Sequence, residues 1–290
     1  MYDVIIIGGG PAGASAALYA VRGGLKVAVI HNNASALHKA ERIQNYYGTG
    51  EVSGTALYAS GIEQARSLGA EIIEDQCVFV ALADIGFTVT TAKNEYISRA
   101  LVIATGAARK TPNINGLKSF EGRGVSYCAV CDAFFYRKKT VAVLGAGEYA
   151  AHELATLKAV VGKTYLLTDG QTPSFEPTAD GVYTAKIAEV EGDERLSKIV
   201  FEDGSELQVD GLFIALGTLG GGGLAASLGI LTDKATGAIK TDEHGATNIP
   251  NLYAVGDCTV GVKQVARAVA DGMATGYQLV KTLKGGSTAQ

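Results

Sequence analysis

The chain has 290 residues, enough for two domains at roughly 150 residues each. Apolar residues make up 47% and charged residues 19%, a globular balance that excludes a disordered chain. The formal net charge of −4 leaves no extended cationic field, so nucleic acid is not an expected partner.

Met1-Tyr2-Asp3 lacks a basic region and runs into four apolar residues that break at Gly8, too short a segment for a signal peptide. No apolar run approaches the roughly 18 residues of a membrane helix, so a cytoplasmic protein is expected. Residues 4–7 are β-branched, the signature of a buried parallel strand, and lead into Gly8-Gly9-Gly10-Pro11-Ala12-Gly13. An alanine-rich stretch, 14–21, then reads as a helix. Gly8 permits the tight turn, Gly10 removes a Cβ that would block a pyrophosphate, and Gly13 lets helix and strand pack closely. Pro11 suits a first helical turn, and the helix N-terminus offers free N–H groups to phosphates. The next strand, 26–30, ends in His31, Asn32 and Asn33, where an acidic ribose-binding residue is usual; the neutral amide of Asn32 suits the same contact.

Residues 101–106, Leu-Val-Ile-Ala-Thr-Gly, form a strand that ends in the small-residue turn Ala104, Thr105 and Gly106. Further on, Cys128-Ala-Val-Cys131 allows both sulfurs to close a small disulfide ring or to supply half a metal site. Zinc needs more ligands, and Cys77, Cys258, His31, His38, His152 and His244 form no spaced cluster, so no metal is expected. Thiol–disulfide exchange is then the leading chemistry, with Asp132 placed to supply a proton to a leaving thiolate.

Strand, glycine loop and helix recur at 140–144, Gly145-Ala-Gly147-Glu148-Tyr-Ala150 and on to 161. Two such starts suggest two dinucleotides in an electron relay, or a second site that keeps only the fold. Near the end, Ala254-Val-Gly256-Asp257 again closes a strand; Asp257 suits a flavin ribityl hydroxyl or caps the next helix. That helix, 264–283, can aim N–H groups at the electron-rich pyrimidine end of a flavin.

The run Gly122-Arg-Gly-Val-Ser-Tyr-Cys-Ala-Val-Cys-Asp-Ala-Phe-Phe-Tyr136 closely resembles the dithiol segment of low-molecular-weight thioredoxin reductases. The glycine loops, Ala104-Thr105-Gly106, Gly256-Asp257 and Lys263-Gln264-Val265 follow that family's order, and only about 168–236 matches poorly. The resemblance implies an α/β chain of two Rossmann-like, three-layer ββα-type nucleotide-binding domains, the second inserted in the first. The FAD-binding domain would comprise 1–108 and 238–290, and the inserted domain 109–237. Asn45 joins the cofactor-binding candidates. In the family, homodimers are the rule, Cys131 would face the flavin, Cys128 would attack the substrate disulfide, and Asp132 would move protons. Rotation between the domains would expose the dithiol.

Members that use NADPH carry a His-Arg-Arg cluster and a further Arg after the second strand of the inserted domain. Here strand 164–168 ends in Asp169, which suits a free ribose 2′-hydroxyl and repels a phosphate, and no Arg follows until Arg195. NADPH is therefore not expected. Gly145, Gly147, Glu148 and Asp169 still permit NADH or a second FAD. Segment 170–177, with Pro173 and Pro177, replaces a helix-bearing region, and 216–223 reads as a flexible loop. Three readings stay open: a reductase of a thioredoxin-like protein or small disulfide fed by ferredoxin, NADH or a second flavin; a small-dithiol oxidase using oxygen; and a non-enzymatic flavin redox sensor.

Overall fold

In the computed structural model the described residues are 1–107, 112–127, 129–216, 221–233 and 236–285, with backbone alone for Val130, Cys131, Gly221, Gly222, Ala226 and Ser227. The buried run Val4 to Ile7 forms most of β1 (Tyr2–Ile7), the central strand of the first sheet. Helix α1 (Pro11–Arg22) leads to β2 (Val27–His31), parallel to β1, and α2 (Gly54–Ser67) to β3 (Glu71–Glu74), parallel to β2. A meander follows, β4 (Cys77–Leu82), β5 (Phe87–Thr91) and β6 (Glu95–Ile103). The long β6 changes partner along its length: its first residues pair antiparallel with β5, and the rest pair parallel with β1. Register places Ile30 and Ile103 beside Ile7, so the loops that begin at Gly8, His31 and Ala104 leave the sheet at one edge.

The second unit spans 109–219. It contains β7 (Val125–Ser126), the single turn α3 (Ala129–Asp132), β8 (Thr140–Leu144), α4 (Glu148–Lys158), β9 (Lys163–Leu167) and β10 (Gly181–Tyr183). An antiparallel trio, β11 (Ile187–Gly192), β12 (Leu196–Phe201) and β13 (Glu206–Gln208), precedes β14 (Gly211–Ile214). The parallel sheet runs β10-β9-β8-β14-β7. Ala142, Leu144, Leu212 and Ile214 from this sheet meet Val190, Ile199 and Phe201 from the trio in one core, the layered plan of the first unit on a smaller scale.

The chain then returns to the first unit, which comprises 1–108 with 220–290. Residues 220–237 thus group with it rather than with the inserted unit. Gly221, Gly222 and Gly223, expected as loop, open helix α5 (Gly221–Leu228), which packs toward β4. Burial of Leu224 and Ala225 outweighs the poor helix propensity of the glycines. Strand β15 (Leu252–Ala254) joins β6 in parallel, with Ala254 beside Ile103. Helix α6 (Val265–Gly285) lies against α1: a Cβ on Gly272 would come 2.1 Å from the Ala12 carbonyl oxygen, and one on Gly276 2.6 Å from that of Ala16. Among the described residues no helix is long and apolar enough to cross a membrane.

Candidate active site

The first cradle lies at the carboxyl ends of β1, β6 and β15, where open α/β sheets place their ligands. Gly8 turns the chain with φ +115°, and a Cβ there would lie 2.2 Å from the Ala104 carbonyl oxygen. A Cβ on Gly13 would lie 1.9 Å from the Gly8 carbonyl oxygen, so this glycine is required for α1 to sit on the loop. Gly10 differs from both, because a Cβ there would meet nothing within 4 Å. Gly10 caps α1 without a side-chain hydrogen bond, Pro11 begins the helix, and its first turn has no acidic residue. The helix thus presents uncapped N–H groups to open space.

Gly256, at φ +72°, brings the β15 turn against Ala12, with 2.8 Å from its would-be Cβ to that of Ala12. Two polar groups here await partners among the described residues. Thr105 Oγ1 is buried and has no hydrogen bond. The partly buried Asp257 carboxylate has none either. Buried polar atoms are seldom left in that condition unless something outside the chain completes them. An open diphosphate cradle, an orphaned hydroxyl and a free carboxylate fit FAD.

The remaining candidates around this cradle divide in two. Asn45 Nδ2 donates to Gln264 Oε1 at 3.2 Å, which ties the 45–50 loop to the start of α6. Lys263 is occupied with backbone, donating to the carbonyls of Asp257 and Thr259. Asn32 is exposed, and its Oδ1 accepts the Ala34 N–H at 3.2 Å. Beside it, His31 Nδ1 and the Tyr58 hydroxyl hydrogen-bond at 2.9 Å below Gly9; burial pushes the imidazole down and the Tyr58 phenol up to about 12. Tyr58 was not legible as a neighbour of the loop, because nothing in its own helix marks it.

The second glycine loop has the same outline with different chemistry. A Cβ on Gly145 would lie 2.3 Å from the Ala215 carbonyl oxygen, and Ala150 occupies the position of Gly13. Gly147 caps α4, but the first turn carries Glu148. The 170–177 segment crosses back to this loop, where the Ser174 N–H donates to the Ala146 carbonyl at 2.8 Å. Asp169 takes a left-handed conformation, φ +49°, and its Oδ1 accepts the Ile187 N–H at 2.9 Å.

Of the dithiol, Cys128 lies outside the described residues, and only the backbone of Cys131 is described, within α3. Residues on either side of them in the chain make three hydrogen bonds that the structure describes. Ser126 Oγ donates to Asp132 Oδ2 at 2.7 Å, the Tyr149 hydroxyl donates to the Tyr127 carbonyl at 2.9 Å, and the Ala129 N–H donates to Glu153 Oε2 at 2.6 Å. Glu153 was missed from sequence, although an acid four residues after Tyr149 on the buried face of α4 is a visible anomaly. Cys77 and Cys258 are buried free thiols, and burial pushes each up to about 12, which leaves them unreactive. Among the described residues no group of three or more His, Cys, Asp or Glu side chains is placed to hold a metal ion.

Two nucleotide-binding folds, an FAD cradle and a C-x-x-C define a flavin-dependent disulfide oxidoreductase of the thioredoxin reductase type. The family model described as pyridine nucleotide-disulphide oxidoreductase matches residues 2–182 and 178–272, and the chain belongs to that family. A thioredoxin reductase from Aquifex aeolicus is 32% identical over 309 residues, covering 98% of this chain and 94% of the relative. Among solved structures, the atypical thioredoxin reductase of Desulfovibrio vulgaris Hildenborough is 34% identical, with a TM-score of 0.92 and 100% of each chain covered. A ferredoxin-flavin thioredoxin reductase from Clostridium acetobutylicum is 28% identical, with a TM-score of 0.78 and 98% of each chain covered.

Proposed function

We propose that the chain reduces the disulfide of a thioredoxin-like protein through Cys128 and Cys131, with electrons that enter from a protein donor of the ferredoxin type rather than from NADPH. The observation that carries this reading is a contrast between the two glycine loops. The first cradle has no acid in its helix turn and a buried hydroxyl without a partner among the described residues, whereas the second loop carries Glu148 and has the 170–177 segment against it. In the second loop, Glu148 puts a negative charge in the helix turn where a pyrophosphate would lie. The Ser174 N–H donates to the Ala146 carbonyl, which brings the 170–177 segment against the loop, and Asp169 spends one carboxylate oxygen on the Ile187 N–H. Each feature weakens the case for NADH or a second FAD there, and the missing arginines weaken that for NADPH. The ferredoxin-flavin relative supports a protein donor.

FAD, when bound, supplies a two-electron carrier at the first cradle. The Gly8 to Gly13 turn would hold its diphosphate, and Thr105 and Asp257 would hold its hydroxyls. Cys131 would be the cysteine that accepts electrons from it, and Cys128 attacks the substrate disulfide. The Cys128–Cys131 disulfide then forms, the substrate gains two electrons and two protons, and Asp132, oriented by Ser126, delivers one proton to the leaving thiolate. Phe134 and Phe135 follow the dithiol at 73% and 67% exposure, an apolar pair suited to docking a protein rather than a small disulfide. A cytoplasmic homodimer belongs to the same reading.

Anaerobic titration of the purified holoprotein tests the donor. Reduced ferredoxin should bleach the flavin and support turnover of thioredoxin, whereas stoichiometric, rapid bleaching by NADPH or NADH would overturn the reading. Denaturation should release one FAD per chain, and release of two would place a flavin at the second loop. Peroxide production from small dithiols, without reduction of thioredoxin, would favour the oxidase.

A further inference from the structure

Glu153 shares the buried face of α4 with Tyr149, Ala150, Leu154 and Leu157. It is only 3% exposed, and among the described residues no cation pairs with it. A carboxylate in such a place is costly, and an apolar side chain would pack there more favourably. Its one hydrogen bond explains the position: Oε2 accepts the N–H of Ala129, the residue bonded directly to Cys128, at 2.6 Å. One turn earlier, the Tyr149 hydroxyl holds the Tyr127 carbonyl. Helix α4 therefore fixes the backbone on both sides of Cys128.

We propose that Glu153 is a positioning residue that holds the Cys128–Cys131 turn and takes up a proton when the pair is reduced. The assignment rests on the reading that these cysteines are the redox pair. Two electrons, which bound FAD would supply, break the S–S bond, and uptake of one proton leaves one thiol and one thiolate. The new negative charge arises in the segment whose Ala129 N–H is bonded to Glu153, and it raises the proton affinity of the buried carboxylate. Glu153 then binds a second proton. On reoxidation by a substrate disulfide the S–S bond reforms, the two electrons leave with the substrate, and both protons are released to it or to solvent.

Burial already pushes the Glu153 carboxyl up to about 7, against the lowering pull of the Ala129 N–H, so the group responds to added charge near neutral pH. The other titratable groups on α4 are Glu148, Tyr149, His152 and Lys158. The elements packed on α4 add Asp132 and Cys131 from α3, and Lys163 and Tyr165 from β9, while β8 adds none. Burial holds His152 below and Tyr149 above its ordinary range, with Glu153 adding to the latter.

The dithiol midpoint potential, measured against pH in the FAD-loaded protein, tests the proposal. Just above neutral pH the wild type should show up to one more proton per two electrons than Glu153→Gln, which keeps an acceptor for Ala129 but does not titrate. That is up to a tenfold change in the equilibrium constant per pH unit, or about 30 mV. Glu153→Asp should recover part of the slope. Superimposable wild-type and Glu153→Gln curves would overturn the assignment. A readout on wild-type protein alone serves if the variants misfold: reduced-minus-oxidised infrared spectra should gain a protonated-carboxyl band and lose a carboxylate band. Absence of that exchange also overturns the assignment. Cys128→Ser and Cys131→Ser must each abolish turnover. If they do not, the dithiol reading itself falls, whereas their inactivity combined with an unchanged Glu153→Gln slope removes only the role of Glu153.

Discussion

The two glycine loops of this chain share a strand, a tight turn and a helix with a glycine N-cap, and they differ in the charge of the first helical turn and in the segments that lie against them. In the first, Gly10 faces open space, the first turn of α1 has no acidic residue, and Thr105 Oγ1 is a buried hydroxyl without a partner among the described residues. In the second, Glu148 supplies its own negative charge to the helix, and Ser174 is hydrogen-bonded to the loop. The difference teaches that a strand–glycine–helix motif reports a backbone path. Occupancy depends on what the neighbouring segments leave unsatisfied.

The comparison can be broken most decisively at Gly13. Its Cβ would sit 1.9 Å from a backbone oxygen that has nowhere to move, so Gly13→Ala should cost ~3 kcal/mol or more and empty the flavin site. The counterpart change, Ala150→Gly, should cost only about 1 kcal/mol, the helix penalty of glycine. Thermal melts and flavin content would show it, and equal costs would mean that the two loops pack alike after all.

The second helix also carries a buried acid that the first lacks. The Glu153 carboxyl is raised to about 7 in the folded chain, so the folded state keeps its proton where the unfolded state has lost it. Stability from this site is therefore present at acid pH and falls as pH rises toward 7, by on the order of 3 kcal/mol. Denaturant titrations of Glu153→Gln should lose that part of the pH dependence; an unchanged profile would show that the acid is solvated.

Smaller effects sharpen the contrast. Thr105→Val removes an orphaned hydroxyl, so it should leave the flavin-free protein as stable as before while weakening FAD by about 1 to 2 kcal/mol, which fluorescence titration with FAD would measure. Weakening of both forms alike would mean that the hydroxyl has a partner within the chain. Smallest of all, Glu148→Gln should lower the stability of the second unit by about 0.3 to 1 kcal/mol through the helix dipole. It should gain no measurable affinity for NADH by calorimetry while Ser174 keeps its place.

The sequence alone determined the layered fold and the first cradle, because the signals there are local. The β-branched run 4–7, the spacing of Gly8, Gly10 and Gly13, and Pro11 at the helix start each act within a few residues, and the structure follows them. The C-x-x-C and the Asp after it are legible as a motif for the same reason, since their chemistry depends on adjacency. Tertiary structure decided the rest. Helix α5 forms from a glycine-rich stretch because Leu224 and Ala225 are buried, a gain that propensity does not report. The approach of the 170–177 segment to the second loop depends on a hydrogen bond between residues 146 and 174, and the tie between α4 and α3 on one between 129 and 153. Contacts of that span leave no periodic trace, because they join backbone groups and a single side chain from separate elements.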